Sequence, residues 1–504
     1  MKLTNQTLAD LPAGIHGPQY DHTARGVGIV HLGIGAFHRC HMAVYTDDVM
    51  AQKPGDWRIL GVSLRSRTIP DQLNPQDGLY SVVIKDSNSV TTRVIGSVVG
   101  VLFAPEDPQA VVQAIANPST QIVSLTVTEK GYCHDPATGE LNQSHPDIQH
   151  DLADLTNPVS AIGYLVAGLQ ARQRSDSGAI SLLSCDNLPA NGQTVEKIVG
   201  KFASLVDPAL AQWIEQHVSF PSSMVDRIVP AMEAEDKTAF AQRTGLDDAA
   251  VLQTEPFTQW VIEDSFAGNR PAWELAGATM VSDVAPYEDA KLRMLNGSHS
   301  ALAYLGYLAG YDYVHQVMAD PIFRHYVDSF MRLEAATSLH LPTGMDIDAY
   351  RKELQARYDN SALQHRTYQI AMDGSQKVPQ RLLGTLRYQL ENDGPITATC
   401  IAIAAWLRYL VGKDERGQTY EVQDPMADQF AKLFADTPND PSSLVTALLQ
   451  VQAVFGSDLI KNSRLTQELI YWFAQIMQDG VSNTLSLYAK QLRTAEKQPS
   501  SAKG

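Results

Sequence analysis

The chain has 504 residues, of which 44% are hydrophobic, and it carries a formal net charge of −17 with a pI of about 5.2. This length and hydrophobic content predict a folded protein of two or three domains. The acidic balance argues against nucleic acid or anionic membrane as a partner, because both attract clustered Lys and Arg.

The cysteines and the apolar stretches restrict the class of protein further. The four cysteines lie far apart and form no CxxC pair: Cys40, Cys133, Cys185 and Cys400. This spacing favours reduced thiols, with neither a disulfide framework nor a zinc ribbon. The longest apolar stretch, 396–407, is shorter than the roughly 20 residues of a membrane span. We therefore expect a cytoplasmic protein with no membrane anchor and no metal site.

Apolar runs and helical patterns alternate along the first half of the chain. Strands are predicted at 26–33, 57–64, 121–128 and 179–185, a hairpin or two strands over 80–100, and helices at 38–52, 107–116 and 161–174. Such alternation predicts a parallel sheet that is covered by helices on both faces.

The second half has helical periodicity almost throughout. It begins with a predicted helix at 292–310 and continues to another at 467–477. Few alternating β-branched runs occur here. We expect an α/β domain over 1–285 and a mostly α-helical domain over 286–504.

A glycine turn joins the first predicted strand to the first helix. It reads Gly33-Ile34-Gly35-Ala36-Phe37-His38. In a dinucleotide site, the first glycine permits the tight turn and the second lets the pyrophosphate approach the backbone N–H groups. His38 stands where the usual fingerprint has Gly or Ala. The alternative interpretation is an ordinary turn between a strand and a helix.

The residues near this turn leave the cofactor and metal questions open. A dinucleotide fingerprint expects an acid after the second strand, and this chain has Arg65 and Arg67 there, which slightly favours a 2′-phosphate or no preference. His31 is predicted to face away from the turn. His38 and His41 have no acid or cysteine at ligand spacing, so structural roles are favoured over metal binding for all three histidines.

The start of the helical half carries a possible catalytic group. On an α-helix, Lys291, Asn296 and His299 share one broad face. A lysine near a helix start is disfavoured as an ammonium and could serve as a general base, while an amide can donate to an alkoxide. Asn187, after the predicted strand 179–185, is a second candidate donor. The alternatives are a solvated lysine and an Asx turn before Pro189.

Five segments together resemble the mannitol dehydrogenase family of polyol-specific long-chain dehydrogenases. They are IVHLGIGAFHRCH at 29–41, SLTVTEKGY at 124–132, SCDN at 184–187, MVDRIVP at 224–230, and the K-x4-N-x2-H spacing at 291–299. The resemblance implies a Rossmann-type NAD-binding domain over 1–285, a helical substrate and catalytic domain over 286–504, and metal-independent hydride transfer.

The resemblance also assigns roles to residues. It implies Lys291 as the base, Asn187 and Asn296 as the oxyanion-stabilising pair, and His299 as a partner of the substrate hydroxyl. Glu288 matches a carboxylate near the proton exit. The positions implied to contact or neighbour the cofactor are Gly33, Ile34, Gly35, Ala36, Phe37, His38, Arg39, Thr128, Glu129 (also a pocket acid), Asp226 and Val229.

Further segments are TVTEKGYC at 126–133, FPSSMVDRIVP at 220–230, EPFTQWVIED at 255–264, KLRMLNGSHS at 291–300 and HRTYQIAMDGSQKVPQR at 365–381. They resemble the fructuronate reductases of this family, whose members also lack the acid after the second strand and resemble NAD users. A sugar acid brings a carboxylate, for which His365, Arg366, Lys377 and Arg381 are candidate partners; the alternative is a solvated basic cluster. Two alternatives remain open. One is a hexitol dehydrogenase acting on an uncharged polyol, and the other is a dinucleotide-binding regulator without catalysis.

Overall fold

The computed structural model describes residues 1–135, 138–342 and 345–497. The chain divides into two compact units, Met1–Ala285 and Pro286–Gly504. Each unit has its own hydrophobic core, and each is described by itself below.

A six-stranded parallel sheet forms the centre of the first unit. Its strands follow the spatial order β6-β3-β2-β7-β8-β9, and every neighbouring pair is parallel. The strands are β2 (Val27–Leu32), β3 (Arg58–Ser63), β6 (Val98–Phe103), β7 (Ile122–Leu125), β8 (Ile180–Ser184) and β9 (Val218–Ser219). The order reverses between β2 and β7, and ligands of open α/β sheets bind outside the carboxyl ends of the strands at such a point.

Two smaller sheets complete the strands of this unit. One has the order β1-β5-β4-β11 and the other β10-β12-β13. Their strands are β1 (Ile15–His16), β4 (Tyr80–Asp86), β5 (Ser89–Ile95), β10 (Ser223–Asp226), β11 (Leu252–Thr254), β12 (Gln259–Glu263) and β13 (Thr279–Val281). The antiparallel pair β4–β5 confirms the predicted hairpin, although β6 starts within the same predicted segment and belongs to the central sheet.

Helices cover the central sheet because its strands are apolar on both faces; β8, for example, is buried at all five positions. The helices of this unit are α1 (Ala36–Cys40), α2 (Met42–Gln52), α3 (Thr68–Leu73), α4 (Pro108–Ala116), α5 (Thr128–Gly131), α6 (Pro146–Ala153), α7 (Ala161–Ser175), α8 (Asn191–Val206), α9 (Pro208–His217) and α10 (Ala234–Thr244). Their starts carry the expected signals, since Asp107 and Ser160 accept backbone N–H groups as N-caps of α4 and α7.

The second unit is helical in the part of the chain that the structure describes. Its α-helices are α11 (Ala285–Ala290), which begins at the unit boundary, α12 (Gly297–Leu308), α13 (Val314–Ala319), α14 (Pro321–Ser329), α15 (Ile347–Tyr358), α16 (Thr367–Ala371), α17 (Gly374–Arg381), α18 (Leu383–Glu391), α19 (Thr397–Tyr409), α20 (Ala427–Asp436), α21 (Pro441–Leu449), α22 (Gln452–Phe455) and α23 (Ser463–Lys497). A kink at Gly480, where φ is +78° and ψ is 169°, divides α23 into two helical parts. Two π-helical segments, Lys291–Asn296 and Phe330–Ala335, interrupt the α-helical pattern.

The predicted fold class, an α/β domain of Rossmann type followed by a mostly α-helical domain, is confirmed by these elements. α19 accounts for the long apolar stretch: it lies in the helical core with eleven buried residues. Among the described residues, no helix is both long enough and apolar enough to cross a bilayer.

Candidate active site

The glycine turn follows β2 as predicted, and its two glycines have different surroundings. Gly33 has a φ of +90°, and a Cβ there would lie 2.2 Å from the Thr126 carbonyl oxygen. The Gly33 N–H donates to the Val62 carbonyl at 2.9 Å. Gly35 is the N-cap of α1, and a Cβ there would meet only the Gly33 carbonyl, at 3.8 Å. Gly33 is thus required by the backbone, whereas Gly35 faces open space that a ligand could fill.

The other residues of the turn mostly pack beneath it. Ile34 is buried against Gly61, whereas Ala36 and Phe37 are half-buried. The Arg39 guanidinium is buried and donates to the carbonyls of Ala250 at 3.0 Å and Gly35 at 3.3 Å. This part of the turn therefore offers its backbone to a ligand, while the Arg39 side chain holds neighbouring chain segments together.

His31 faces the turn, and the prediction that it faces away is wrong. Its ring stacks on that of His38 with centroids 3.4 Å apart, and its two nitrogens lie 2.8 Å from the hydroxyls of Ser124 and Thr126. Desolvation lowers the pKa of His31 to about 3 and also holds the pKa of His38 well below its ordinary value. Both imidazoles are therefore neutral and support the turn from below.

The arginines after β3 are engaged with acids. Arg65 forms an ion pair with Asp147 at 3.1 Å. Arg67 pairs with Glu106 at 3.0 Å and with Asp71 at 3.4 Å, and its guanidinium lies 5.5 Å from the Phe103 ring centroid. A bound 2′-phosphate would have to compete with these partners for either side chain.

The turns that follow β7 and β8 lie at the same sheet edge as the glycine turn, because β2, β7 and β8 are adjacent and parallel. Thr128 and Glu129, both exposed, follow β7, and Asp186 and Asn187 follow β8. Thr128 has a φ of +62°, a rare conformation for a β-branched residue. The Thr126 hydroxyl donates to the Gly33 carbonyl at 2.7 Å, so the first two turns are in direct contact.

Two further predicted cofactor neighbours lie at the end of β10. Asp226 is the last residue of that strand and is buried, and Val229 follows three residues later and is half-buried. The neighbouring Arg227 donates to the carbonyls of Cys40 and Glu255, and Cys40 is the last residue of α1. The end of β10 is therefore tied to the helix that follows the glycine turn.

In the second unit, Lys291 does not lie near the start of a helix, so the expectation that a helix N-terminus disfavours its ammonium form is wrong. The helix begins at Ala285 with α11, and the dipole effect is confined to the first turn. Glu288 lies within α11, and Lys291 and Asn296 are the first and last residues of a π-helical segment. Angles of an ideal α-helix therefore do not apply between them, and π-helical insertions are frequent at functional sites.

His299 lies at the centre of a cluster in the second unit. Its ring stacks on Tyr358 with centroids 5.4 Å apart and meets His365 edge-on at 4.8 Å. Burial, His365, and the positive charges of Arg381, Arg357 and Lys377 all lower the pKa of His299 well below its ordinary value. Its Nε2 is buried and has no hydrogen-bond partner among the described residues. A neutral imidazole with an unused polar atom is suited to a ligand hydroxyl.

The candidate carboxylate partners differ in their positions. Lys377 and Arg381 belong to α17, where the Lys377 Nζ donates to the Ile370 carbonyl and the Arg381 Nη1 to the Ser300 hydroxyl, both at 3.2 Å. Arg366 is exposed and is not among the groups that shift the pKa of His299. The structure thus brings Lys377 and Arg381 close to His299 and leaves Arg366 at the surface.

One group of side chains has the composition of a metal site. The ligand atoms of Cys133, His145 and Asp147 lie within 4.8 Å of one another. The cysteine spacing did not predict this group, because its members meet only in the fold. His145 Nδ1 already accepts the Asp147 N–H at 3.2 Å, and Asp147 binds Arg65. Burial raises the pKa of the Cys133 thiol to about 11, which opposes the thiolate that a metal requires.

Several residues of these sites were missed from sequence. Tyr358 of α15 stacks on His299, and the charge of Arg357 in the same helix lowers the pKa of His299. This helix is distant from His299 in sequence, and no local motif marks either residue. Asp186 stands beside the predicted Asn187, and it could have been found from that adjacency.

The comparisons with known proteins cover almost the whole chain. Residues 27–275 match the model of the mannitol dehydrogenase Rossmann domain, and residues 283–477 match that of the mannitol dehydrogenase C-terminal domain. The uncharacterized oxidoreductase YeiQ of Escherichia coli is 44% identical over 94% of this chain and 97% of its own. The D-mannonate oxidoreductase of the same organism is 42% identical over 94% and 98%.

A solved structure agrees with these matches. It is the ternary complex of Pseudomonas fluorescens mannitol 2-dehydrogenase with NAD and D-mannitol, and it superposes with a TM-score of 0.91 at 38% identity, covering 97% of this chain and 100% of the other. The resemblance seen in the sequence segments is thereby confirmed: this chain belongs to the mannitol dehydrogenase family.

Proposed function

We propose that this chain is a metal-independent oxidoreductase that transfers a hydride between NAD(H) and a secondary alcohol or ketone of a sugar-derived substrate, with the reduction of D-fructuronate to D-mannonate as its preferred reaction. The observation that carries the choice of substrate is the group of three cations, Arg357, Lys377 and Arg381, around the neutral His299. A chain with a net charge of −17 needs such local cations to bind an anionic substrate.

The glycine turn supports the cofactor assignment. The open space over Gly35 lets a pyrophosphate approach the backbone, and the turn lies at the reversal point of the parallel sheet. NAD is favoured over NADP because Arg65 and Arg67 are both paired with acids. The structurally similar mannitol 2-dehydrogenase was also solved with NAD. When bound, NAD(H) supplies or accepts the hydride.

The proton, the oxyanion and the position of the substrate are assigned to four side chains. In the oxidation direction, the Lys291 Nζ accepts the proton of the substrate hydroxyl, and in reduction it returns that proton to the carbonyl oxygen. The amides of Asn187 and Asn296 donate to the oxygen while it carries negative charge. His299 positions the substrate through its unpartnered Nε2. Amide donors perform the task that a metal ion performs in other alcohol dehydrogenases.

The substrate carboxylate is assigned to Lys377 and Arg381. Charge-assisted bonds contribute about 1.5–3 kcal/mol each, equivalent to about tenfold to a hundredfold in affinity. Arg366 is exposed and is not among the groups that lower the pKa of His299, so removing its charge is a useful comparison.

The test is steady-state NADH oxidation with D-fructuronate and D-fructose, in the presence of a chelator, for the wild type and for Lys377→Gln, Arg381→Gln and Arg366→Gln. We expect Lys377→Gln and Arg381→Gln to raise KM for fructuronate about tenfold to a hundredfold and to leave the kinetics with fructose within about threefold. Arg366→Gln should resemble the wild type. Equal losses on both substrates would contradict the assignment of the carboxylate partners.

A hexitol dehydrogenase is the second candidate. It is favoured by the overall similarity to the mannitol 2-dehydrogenase that binds D-mannitol. Turnover of mannitol and fructose by the wild type, without measurable turnover of fructuronate, would select this candidate.

A further inference from the structure

Asp186 holds the turn that follows β7 through three hydrogen bonds. Its carboxylate accepts the N–H of Val127 at 2.8 Å, the N–H of Thr128 at 3.1 Å and the hydroxyl of Tyr132 at 2.7 Å. Two consecutive backbone N–H groups therefore converge on one carboxylate. Neither N–H is part of a strand ladder, since β7 ends at Leu125.

The turn that Asp186 holds is strained. Thr128 has a φ of +62°, and its branched Cβ makes this conformation unfavourable unless the surroundings impose it. The N–H groups of Val127 and Thr128 can both reach the carboxylate only while the backbone keeps this turn. The Asp186 carboxylate therefore supplies the constraint that keeps Thr128 in place.

The same turn contacts the glycine turn. Thr126 donates through its N–H to the Leu32 carbonyl at 3.0 Å and through its hydroxyl to the Gly33 carbonyl at 2.7 Å. A shift of the Val127-Thr128 backbone would therefore displace Thr126, and with it the hydrogen bond to Gly33.

On its other side, the Asp186 backbone is linked to β10 through the side chain of Asn191. The Asn191 side chain donates to the Asp186 carbonyl at 3.1 Å and to the Ser223 carbonyl at 2.7 Å. The chain between these anchors contains Asn187, the proposed oxyanion donor. One residue thus connects the strained turn, the glycine turn and the position of Asn187.

We propose that Asp186 is a positioning residue: its side chain fixes the Val127-Thr128 turn relative to Asn187, the next residue of the chain. This proposal rests on the proposed function. A carboxylate is required because an amide of the same shape has one acceptor oxygen and would direct an NH₂ group at one of the two backbone N–H groups.

The test is Asp186→Asn, with NADH affinity measured by titration and kcat measured for ketone reduction. We expect NADH Kd to rise about tenfold and kcat to fall about tenfold to a hundredfold, the size of a lost charge-assisted bond. Tyr132→Phe is the matched control, because it removes one bond to Asp186 and leaves both backbone bonds. It should change both quantities by less than about threefold.

A double-mutant cycle with Asn187→Ala separates positioning from a general structural role. If Asp186 acts through Asn187, the loss of kcat in the double variant should stay within about threefold of that in Asn187→Ala alone. Fully additive losses would overturn the proposal. So would an Asp186→Asn variant with the NADH affinity and kcat of the wild type.

Thr128→Gly keeps the proposal testable if Asp186→Asn alone does not fold. Glycine adopts the positive φ without strain, so the Thr128→Gly/Asp186→Asn pair should fold and regain part of the NADH affinity. Absence of any recovery would count against the proposal. Failure of the proposed function can be told apart from failure of the proposal about Asp186. If the wild type binds NADH but reduces no ketone, the effect of Asp186→Asn on the NADH Kd still tests the role of Asp186. If the wild type does not bind NADH, both the proposed function and the role of Asp186 are wrong.

Discussion

Glu334 allows a test of the helical unit, because the structure predicts both the sign and the size of its effect on the pH dependence of the free energy of unfolding. Its carboxylate is buried and accepts the N–H groups of Ala398 at 2.6 Å and Thr399 at 2.8 Å, together with the Thr399 hydroxyl at 2.7 Å. It therefore caps the N-terminus of α19, which has no side-chain cap of its own. Desolvation outweighs these bonds and raises the pKa of Glu334 from 4.5 to about 7.

A raised carboxyl pKa makes the folded state less stable as pH rises. Between pH 4.5 and about 7, the folded chain keeps a proton that the unfolded chain has released, so the free energy of unfolding decreases with rising pH. The full effect is about 3 kcal/mol, of which about 2 kcal/mol falls between pH 5.5 and pH 8. Glu334→Gln cannot ionise and should lack this component.

The assay is urea unfolding of both proteins, followed by far-UV circular dichroism at several pH values from 5.5 to 8. The difference between the two free energies of unfolding cancels all other titrating groups. At pH 5.5 the difference combines the cost of the amide as a cap with about 1 kcal/mol of the pKa effect, and it should then move by about 2 kcal/mol in favour of the variant as pH rises to 8. Parallel curves for the two proteins would refute the reasoning.

Two further predictions concern the proposed active site. Gly33→Ala should lower the free energy of unfolding by more than about 1 kcal/mol, because a Cβ would lie 2.2 Å from the Thr126 carbonyl at a φ of +90°. Gly35→Ala should change the free energy of unfolding by less than about 0.5 kcal/mol, since its Cβ meets open space, and should instead weaken NADH binding. Equal losses of stability in the two variants would contradict the different roles assigned to Gly33 and Gly35. Lys291→Ala should reduce turnover by about 10²-fold or more while NADH affinity is retained, with partial recovery on adding small amines, and turnover near that of the wild type would rule out Lys291 as the base.

The sequence predicted those parts of the fold that depend on local pattern. The β2–α1 turn, the hairpin of β4 and β5 and the helical second half were all visible, because period and glycine placement are local properties. The π-helical segment at Lys291–Asn296 was not, since it depends on packing around the helix rather than on residue type. His31 was misplaced because strand alternation alone does not show that its ring can stack under His38.

The residues of the candidate site likewise include some that a local sequence pattern marks and others that only the fold brings together. Motif residues such as Gly33, Asn187 and Lys291 carry local signals, whereas the cations around His299 come together from α15 and α17. Arg366 and Lys377 looked equivalent in sequence, and only the fold separates an exposed arginine from a lysine beside His299.

The π-helical segment Lys291–Asn296, between α11 and α12, also affects whether this part of the chain can tolerate an insertion or a deletion. Tyr358 donates to the Leu295 carbonyl at 2.8 Å and stacks on His299, so one phenol supports both the widened turn and the imidazole that follows it. A Cβ on Gly297 would lie 2.8 Å from the Arg381 carbonyl oxygen, so the missing side chain lets α12 pack closely against α17. Removing one residue between 291 and 296 would therefore leave α12 anchored and turn Lys291 away from its present direction. The length of this segment, as much as its residues, determines which way the lysine points.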